Sequence, residues 1–183
     1  MELAGAGYLY ALATLSITFS GFSALITVLR QAAGGTLSRY DAFLMVNYFM
    51  SGFAIAVVCL LPPLICGLGA SPTAAWRGSS LFAGSLGFLV EGITWMRRRS
   101  EVGGPMPFHV IAISLSYWPG FLLLLLSGCS LAVAPGFGPF AASLTWTFLM
   151  AGIDYVIALH LLFSRDFFND APNPPVHPLR GGW

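Results

Sequence analysis

The chain has 183 residues, 57% of them hydrophobic and 8% charged, with a mean hydropathy of +0.80 and a formal net charge of +1. A soluble domain carries about 25% charged residues, so this chain has too little polar surface to cover a water-exposed globule, and lipid must solvate much of it. A charge near zero argues against a nucleic-acid partner, and because all eight basic residues are arginine, a lysine nucleophile or Schiff base is excluded.

Five apolar stretches are long enough to cross about 30 Å of hydrocarbon: residues 5–29, 42–66, 78–96, 108–133 and 140–163. They predict an all-α, polytopic bundle of five transmembrane helices over residues 1–166, followed by a proline-rich cytoplasmic tail over 167–183. No basic residue precedes the first stretch and Arg30 follows it directly, so it reads as a span and not a cleavable signal. The second carries Pro62 and Pro63, which predict an end or a kink near Leu61. The third holds Glu91 and ends at Arg97, Arg98 and Arg99. Pro119 predicts a bend in the fourth, and the fifth holds Asp154.

Seven of the arginines (Arg30, Arg39, Arg97, Arg98, Arg99, Arg165 and Arg180) fall on one side of a five-span chain, and Arg77 alone falls on the other. The positive-inside rule then predicts an N-out, C-in protein of the bacterial inner-membrane type. Arg97, Arg98 and Arg99 read as a topology anchor that also touches anionic headgroups. Tyr8, Tyr10, Tyr40, Trp76 and Trp95 suit interfacial belts, while Trp118 lies deep for that role.

Positions i, i+4, i+7 and i+11 of a helix share a narrow strip. Three spans carry small residues there: Ser16, Ser20, Ser23 and Thr27; Ser80, Gly84, Gly87 and Glu91; and Thr147, Ala151, Asp154 and Ala158. Opposite them stand bulky faces: Leu15, Phe22, Leu25 and Leu29; Phe82, Leu86, Leu89 and Ile93; Leu149, Ile153 and Val156. Small residues let membrane helices approach closely, so the stripes predict inward-facing surfaces and turn both acids away from lipid.

A charged side chain inside a bilayer costs roughly 2.5–3.5 kcal/mol on insertion scales, which makes Glu91 and Asp154 the leading site candidates. At about 1.5 Å per residue, Glu91 lies roughly 8 Å and Asp154 roughly 14 Å inside the cytoplasmic ends of their spans. Asn47, Ser20 and Ser23 lie at comparable depths, so the five residues form a candidate proton or cation cluster. A carboxyl there either fixes helix register through hydrogen bonds or borrows an arginine, Arg30 and Arg97 being nearest in sequence. On depth, Asp154 is the ion-binding candidate and Glu91 the partner in a structural ion pair.

The remaining signals are weaker. Cys59, Cys66 and Cys129 have no metal or disulfide spacing and read as small apolar residues. His109 and His160 read as interfacial and His177 as solvated. At an offset of 68 residues Gly52-Phe53 matches Gly120-Phe121 and Ala83-Gly84 matches Ala151-Gly152, which would suit a parallel duplication of spans. No catalytic, nucleotide or metal motif occurs, so neither an enzyme activity nor a cofactor is expected. Two functions fit: an oligomeric channel or transporter for protons or small cations, with the first span's hydroxyls lining a pore, or a non-catalytic accessory subunit whose small stripes dock on a membrane-complex partner.

Overall fold

A computed structural model describes residues 3–32, 39–102 and 108–168. All regular structure among them is helical: α1 (Ala6–Ala32), α2 (Arg39–Gly67), α3 (Pro72–Val102), α4 (Phe108–Ser116), α5 (Trp118–Gly128) and α6 (Phe137–Phe168). Four stretches are long and apolar enough to cross a membrane: Ala6–Leu29, Met45–Gly67, Ile111–Gly128 and Phe137–His160. Serines, glycines and Glu91 dilute the apolar run of α3, which falls outside that group despite its 31 residues.

The prolines act differently from one another. Pro62 and Pro63 lie inside α2, which neither ends nor breaks near Leu61 but runs on to Gly67. Pro62 is fully buried, so packing against neighbouring helices holds the backbone through the missing donors. The helix stops where its carbonyls find a cap. The Gly69 amide donates to the Cys66 carbonyl (3.0 Å) and the Ala70 amide to the Ile65 carbonyl (3.3 Å), with Gly69 in the left-handed region at φ +95°. That pairing closes a helix with a glycine that carries no Cβ penalty.

The fourth span divides into two helices at a single residue, Tyr117, whose backbone keeps helical angles (φ −75°, ψ −27°). Tyr117 separates α4 from α5, and Pro119 occupies the first turn of α5, where its missing N–H costs nothing. The Trp146 indole Nε1 donates to the Ser116 carbonyl at 2.8 Å, satisfying backbone at the break. The span also ends at Gly128, earlier than its apolar residues suggest. The Ser130 and Leu131 amides turn back to the Ser127 and Leu126 carbonyls, and Leu131 is left exposed. At the other end of the chain α6 extends to Phe168, and the rest of the expected tail lies outside the described residues.

Packing follows the stripes. Ser16, Ser20 and Ser23 are buried, while Leu15, Phe22, Leu25 and Leu29 on the far side of α1 are exposed. Gly52 of α2 sits directly against the Ser20 hydroxyl and the Ser16 carbonyl. Gly84 and Gly87 of α3 meet Leu125 and Phe121 of α5 with no space for a side chain. Phe82, Leu89, Leu149, Ile153 and Val156 face outward as expected; Leu86 turns partly inward. The main core joins Leu9, Leu12, Ile55, Val58, Trp76, Leu124, Phe140 and Leu144. The 68-residue similarity does not carry over to environment: Phe53 is exposed at 52% and its counterpart Phe121 is buried at 9%.

A charged cavity inside the bundle

The α3 stripe continues past Glu91. Steps of three and seven residues reach Thr94 and Arg98, so one helix face presents small residues, then a carboxyl, a hydroxyl and a guanidinium. Arg98 is 4% exposed, whereas Arg97 and Arg99 point outward. The arginine run therefore divides: its middle member belongs to the interior and its flanks to the surface.

These groups line a partly open cavity of about 90 Å³ bounded by α2, α3, α4, α5, α6 and Tyr117. Its polar wall is Asn47, Ser51, Glu91, Thr94, Arg98, Ser114, Tyr117, Thr147 and Asp154; Ile55, Val58, Leu86, Phe121, Leu124 and Leu144 supply much of its apolar lining. Arg98 Nη2 lies 3.6 Å from Asp154 Oδ2, and Arg98 Nη1 donates to Ser114 Oγ at 3.4 Å. The Tyr48 hydroxyl donates to the Asp154 backbone carbonyl at 3.2 Å, fixing α6 to α2 beside the ion pair. Thr94 Oγ1 donates to Asn47 Oδ1 at 3.2 Å.

Among the described residues that line the cavity, two buried side-chain atoms remain unmatched. Glu91 Oε1 has no hydrogen-bond partner and neither has Arg98 Nε. One is an acceptor, the other a donor, and both residues line the same cavity. The cavity holds two carboxyls and one guanidinium, so one carboxyl exceeds the charge that Arg98 can balance. A buried unsatisfied polar group costs about 1–3 kcal/mol, more when charged, which favours a bound proton or ordered water at Glu91. Space for such water exists, since one occupies roughly 30 Å³ of liquid volume.

The expected five-residue cluster is thus revised. Asn47, Glu91 and Asp154 meet at the cavity, but Ser20 and Ser23 do not line it. Ser20 donates to the Ser16 and Phe49 carbonyls and so ties α1 to α2, while Ser23 bonds back to the Phe19 carbonyl within α1. The arginine that reaches an acid is Arg98; Arg97 is exposed, and the Arg30 side chain lies outside the described residues. The ion pair expected at Glu91 is found at Asp154, the deeper acid, and Glu91 keeps an unmatched oxygen. Depth set that expectation, whereas helix rotation decides it.

The expected acid cluster lacks Arg98, read instead as part of the headgroup anchor, and also Thr94, Ser114 and Tyr117. The first two were reachable by extending the α3 stripe. Ser114 and Tyr117 follow from the break at Tyr117, which no sequence period encodes. Among the other candidates, Cys59 is buried but Cys129 is exposed, and His160 is exposed; the side chains of His109 and His177 lie outside the described residues. No family model, curated protein or solved structure matches the chain.

Proposed function

We propose that this chain is a small integral membrane protein in which Glu91 binds and releases a proton during transport through the bundle. The observation that carries the reading is the unmatched pair in one cavity, the Glu91 acceptor and the Arg98 donor. With a proton on Glu91, Arg98 serves Asp154; with the proton gone, the free Nε of Arg98 gives the new carboxylate a partner. A guanidinium shared between two acids is a two-state element of the kind that couples a charge change to a rearrangement. A dehydrated metal cation fits less well, because Arg98 already brings positive charge to the wall and cation sites are built from many oxygen ligands.

Five crossings in an N-out, C-in sense complete the proposal. α3 packs along α5, with Arg77 Nε donating to the Gly128 carbonyl at 3.3 Å at one end, and at the other end the Arg98 side chain reaches Ser114 on α4. Because Ile111–Gly128 is apolar enough to cross, α3 traverses much of the same thickness. Its exposed arginines then mark the cytoplasmic side. The first span's buried serines support no pore on a symmetry axis, so the path runs within one chain whether or not the protein assembles with itself.

Proteoliposomes loaded with a pH-sensitive dye test the proposal. Wild type should carry protons under an imposed gradient, and Glu91→Gln should lower that flux about a hundredfold or more, as expected for loss of an essential titrating group. Equal flux in wild type and Glu91→Gln removes the proposal.

A further inference from the structure

Glu91 also lines a second space. A groove of about 400 Å³ is formed by Phe88, Glu91, Gly92 and Trp95 of α3 together with Leu115 and Trp118 from either side of the helix break. Phe88, Glu91, Gly92 and Trp95 follow one another by three or four residues or fewer along one face, so the backbone itself aims them together. Leu115 and Trp118 are half-exposed, which opens the groove toward the lipid-facing surface. No side chain fills its floor at Gly92, where a Cβ would meet nothing within 4 Å. Trp118 is held edge-on by Phe88 at 5.8 Å, and Phe88 in turn by Phe121 at 5.5 Å.

The chemistry of this lining is selective. Three aromatic rings and a leucine offer apolar area, and aromatic faces attract cations within about 6 Å. Among the described residues that line the groove, Glu91 is the one acidic residue, and the two indole N–H groups complete its polar side chains. A lipid tail would fill the groove but cover the carboxyl without compensating it. A small hydrated ion would lose its shell and find one ligand residue in exchange. A cation with diffuse charge and apolar substituents satisfies both parts, and such ions concentrate in the bilayer onto which the groove opens.

We propose that this groove binds a lipophilic organic cation, with Glu91 as its counter-charge and Trp95, Trp118 and Phe88 as its walls. The inference rests on the reading of Glu91 as a proton-exchanging group. Cation and proton then compete for one carboxyl: as one organic cation enters, one proton leaves, and the charge of the site is unchanged. The groups facing Glu91 across the packed elements are Arg98 on its own helix, Ser114 on α4, Tyr117 at the break and Asp154 on α6. With the organic cation as the counter-charge of Glu91, Arg98 keeps its contact with Asp154 at 3.6 Å instead of turning to the new carboxylate.

The test uses the full chain purified in detergent and radiolabelled tetraphenylphosphonium as the probe, by equilibrium dialysis with proton release followed in weak buffer. Wild type should bind saturably and release about one proton per cation bound. Glu91→Gln should weaken binding about a hundredfold and Trp118→Leu about tenfold, in line with loss of a desolvated charge partner and of a cation–π wall. The half-exposed Trp118 keeps the test open if the acid variant folds poorly. Absence of saturable wild-type binding, or wild-type affinity in both variants, overturns the inference. Infrared difference spectra of the carboxyl region, wild type against Glu91→Gln, separate it from its premise. A Glu91 band that titrates without phosphonium binding overturns the groove alone, and the lack of a titrating band overturns both.

Discussion

At the scale of single residues, the two acids differ in what their loss exposes. Asp154 shares a buried ion pair with Arg98, the side chains being 12% and 5% exposed. Removing one partner of such a pair costs about 3–5 kcal/mol because the other charge is stranded. Asp154→Asn should therefore lower the thermal midpoint of the detergent-solubilised protein clearly. The joint change Arg98→Met with Asp154→Leu should recover much of the loss, since apolar replacement of a whole buried pair is often neutral. Glu91→Gln keeps the shape of a side chain whose Oε1 makes no hydrogen bond, so its midpoint should stay within the equivalent of about 1 kcal/mol of wild type. Similar losses in Asp154→Asn and Glu91→Gln would mean that both acids are structural. The distinction was partly legible in the sequence. Charge within an apolar run marked both acids, and the stripes turned both inward. What no period contains is the partner, because Arg98 lies in a run whose flanking members do face outward, and a triple arginine at a span end has an ordinary meaning as an anchor.

At the scale of elements, α3 organises the site by approaching its neighbours closely on one face and leaving the other open. An added Cβ at Gly84 would lie 2.8 Å from Leu125 Cγ and 3.1 Å from the Phe121 carbonyl, while at Gly78 it would meet nothing within 4 Å. Gly84→Ala should therefore destabilise by about 1–3 kcal/mol through overpacking. Gly78→Ala on the same helix should be neutral or stabilising by up to about 1 kcal/mol, reflecting helix propensity. Paired unfolding curves in one detergent decide this, and equal effects would sink the close-packing account of the stripe. The stripes themselves were readable because side-chain direction in a helix is set by period alone. Which helix each stripe meets was not, and so Ser20 and Ser23 group with the acids in the sequence although Ser20 serves the contact with α2 and Ser23 bonds within α1. The prolines mark the same limit. Pro62 and Pro63 remain within a continuous helix because packing holds it, and Pro119 accompanies a break because Ser116 finds the Trp146 indole across the bundle. Both outcomes are tertiary.

At the scale of the whole molecule, topology decides which face of the membrane the cavity serves. Cys129 follows Gly128, whose carbonyl accepts from Arg77 at the end of α5, and Cys66 lies in the last turn of α2; Cys129 is exposed while Cys59 is buried. In the N-out, C-in arrangement this end is extracytoplasmic, and Glu91 and Arg98 lie toward the opposite end, beside the exposed Arg97 and Arg99. A membrane-impermeant maleimide added to intact cells should therefore label Cys129 in a Cys66→Ala background, and Cys129→Ala should abolish the signal while Cys59 stays unmodified. Labelling that appears only after permeabilisation would invert the chain and place the arginine-rich end outside, against the electrostatic bias that sets orientation. Proton entry to Glu91 would then begin from the exterior. The sign of the gradient that drives flux in oriented vesicles would reverse with it, so the labelling result fixes in advance which gradient the transport measurement must use.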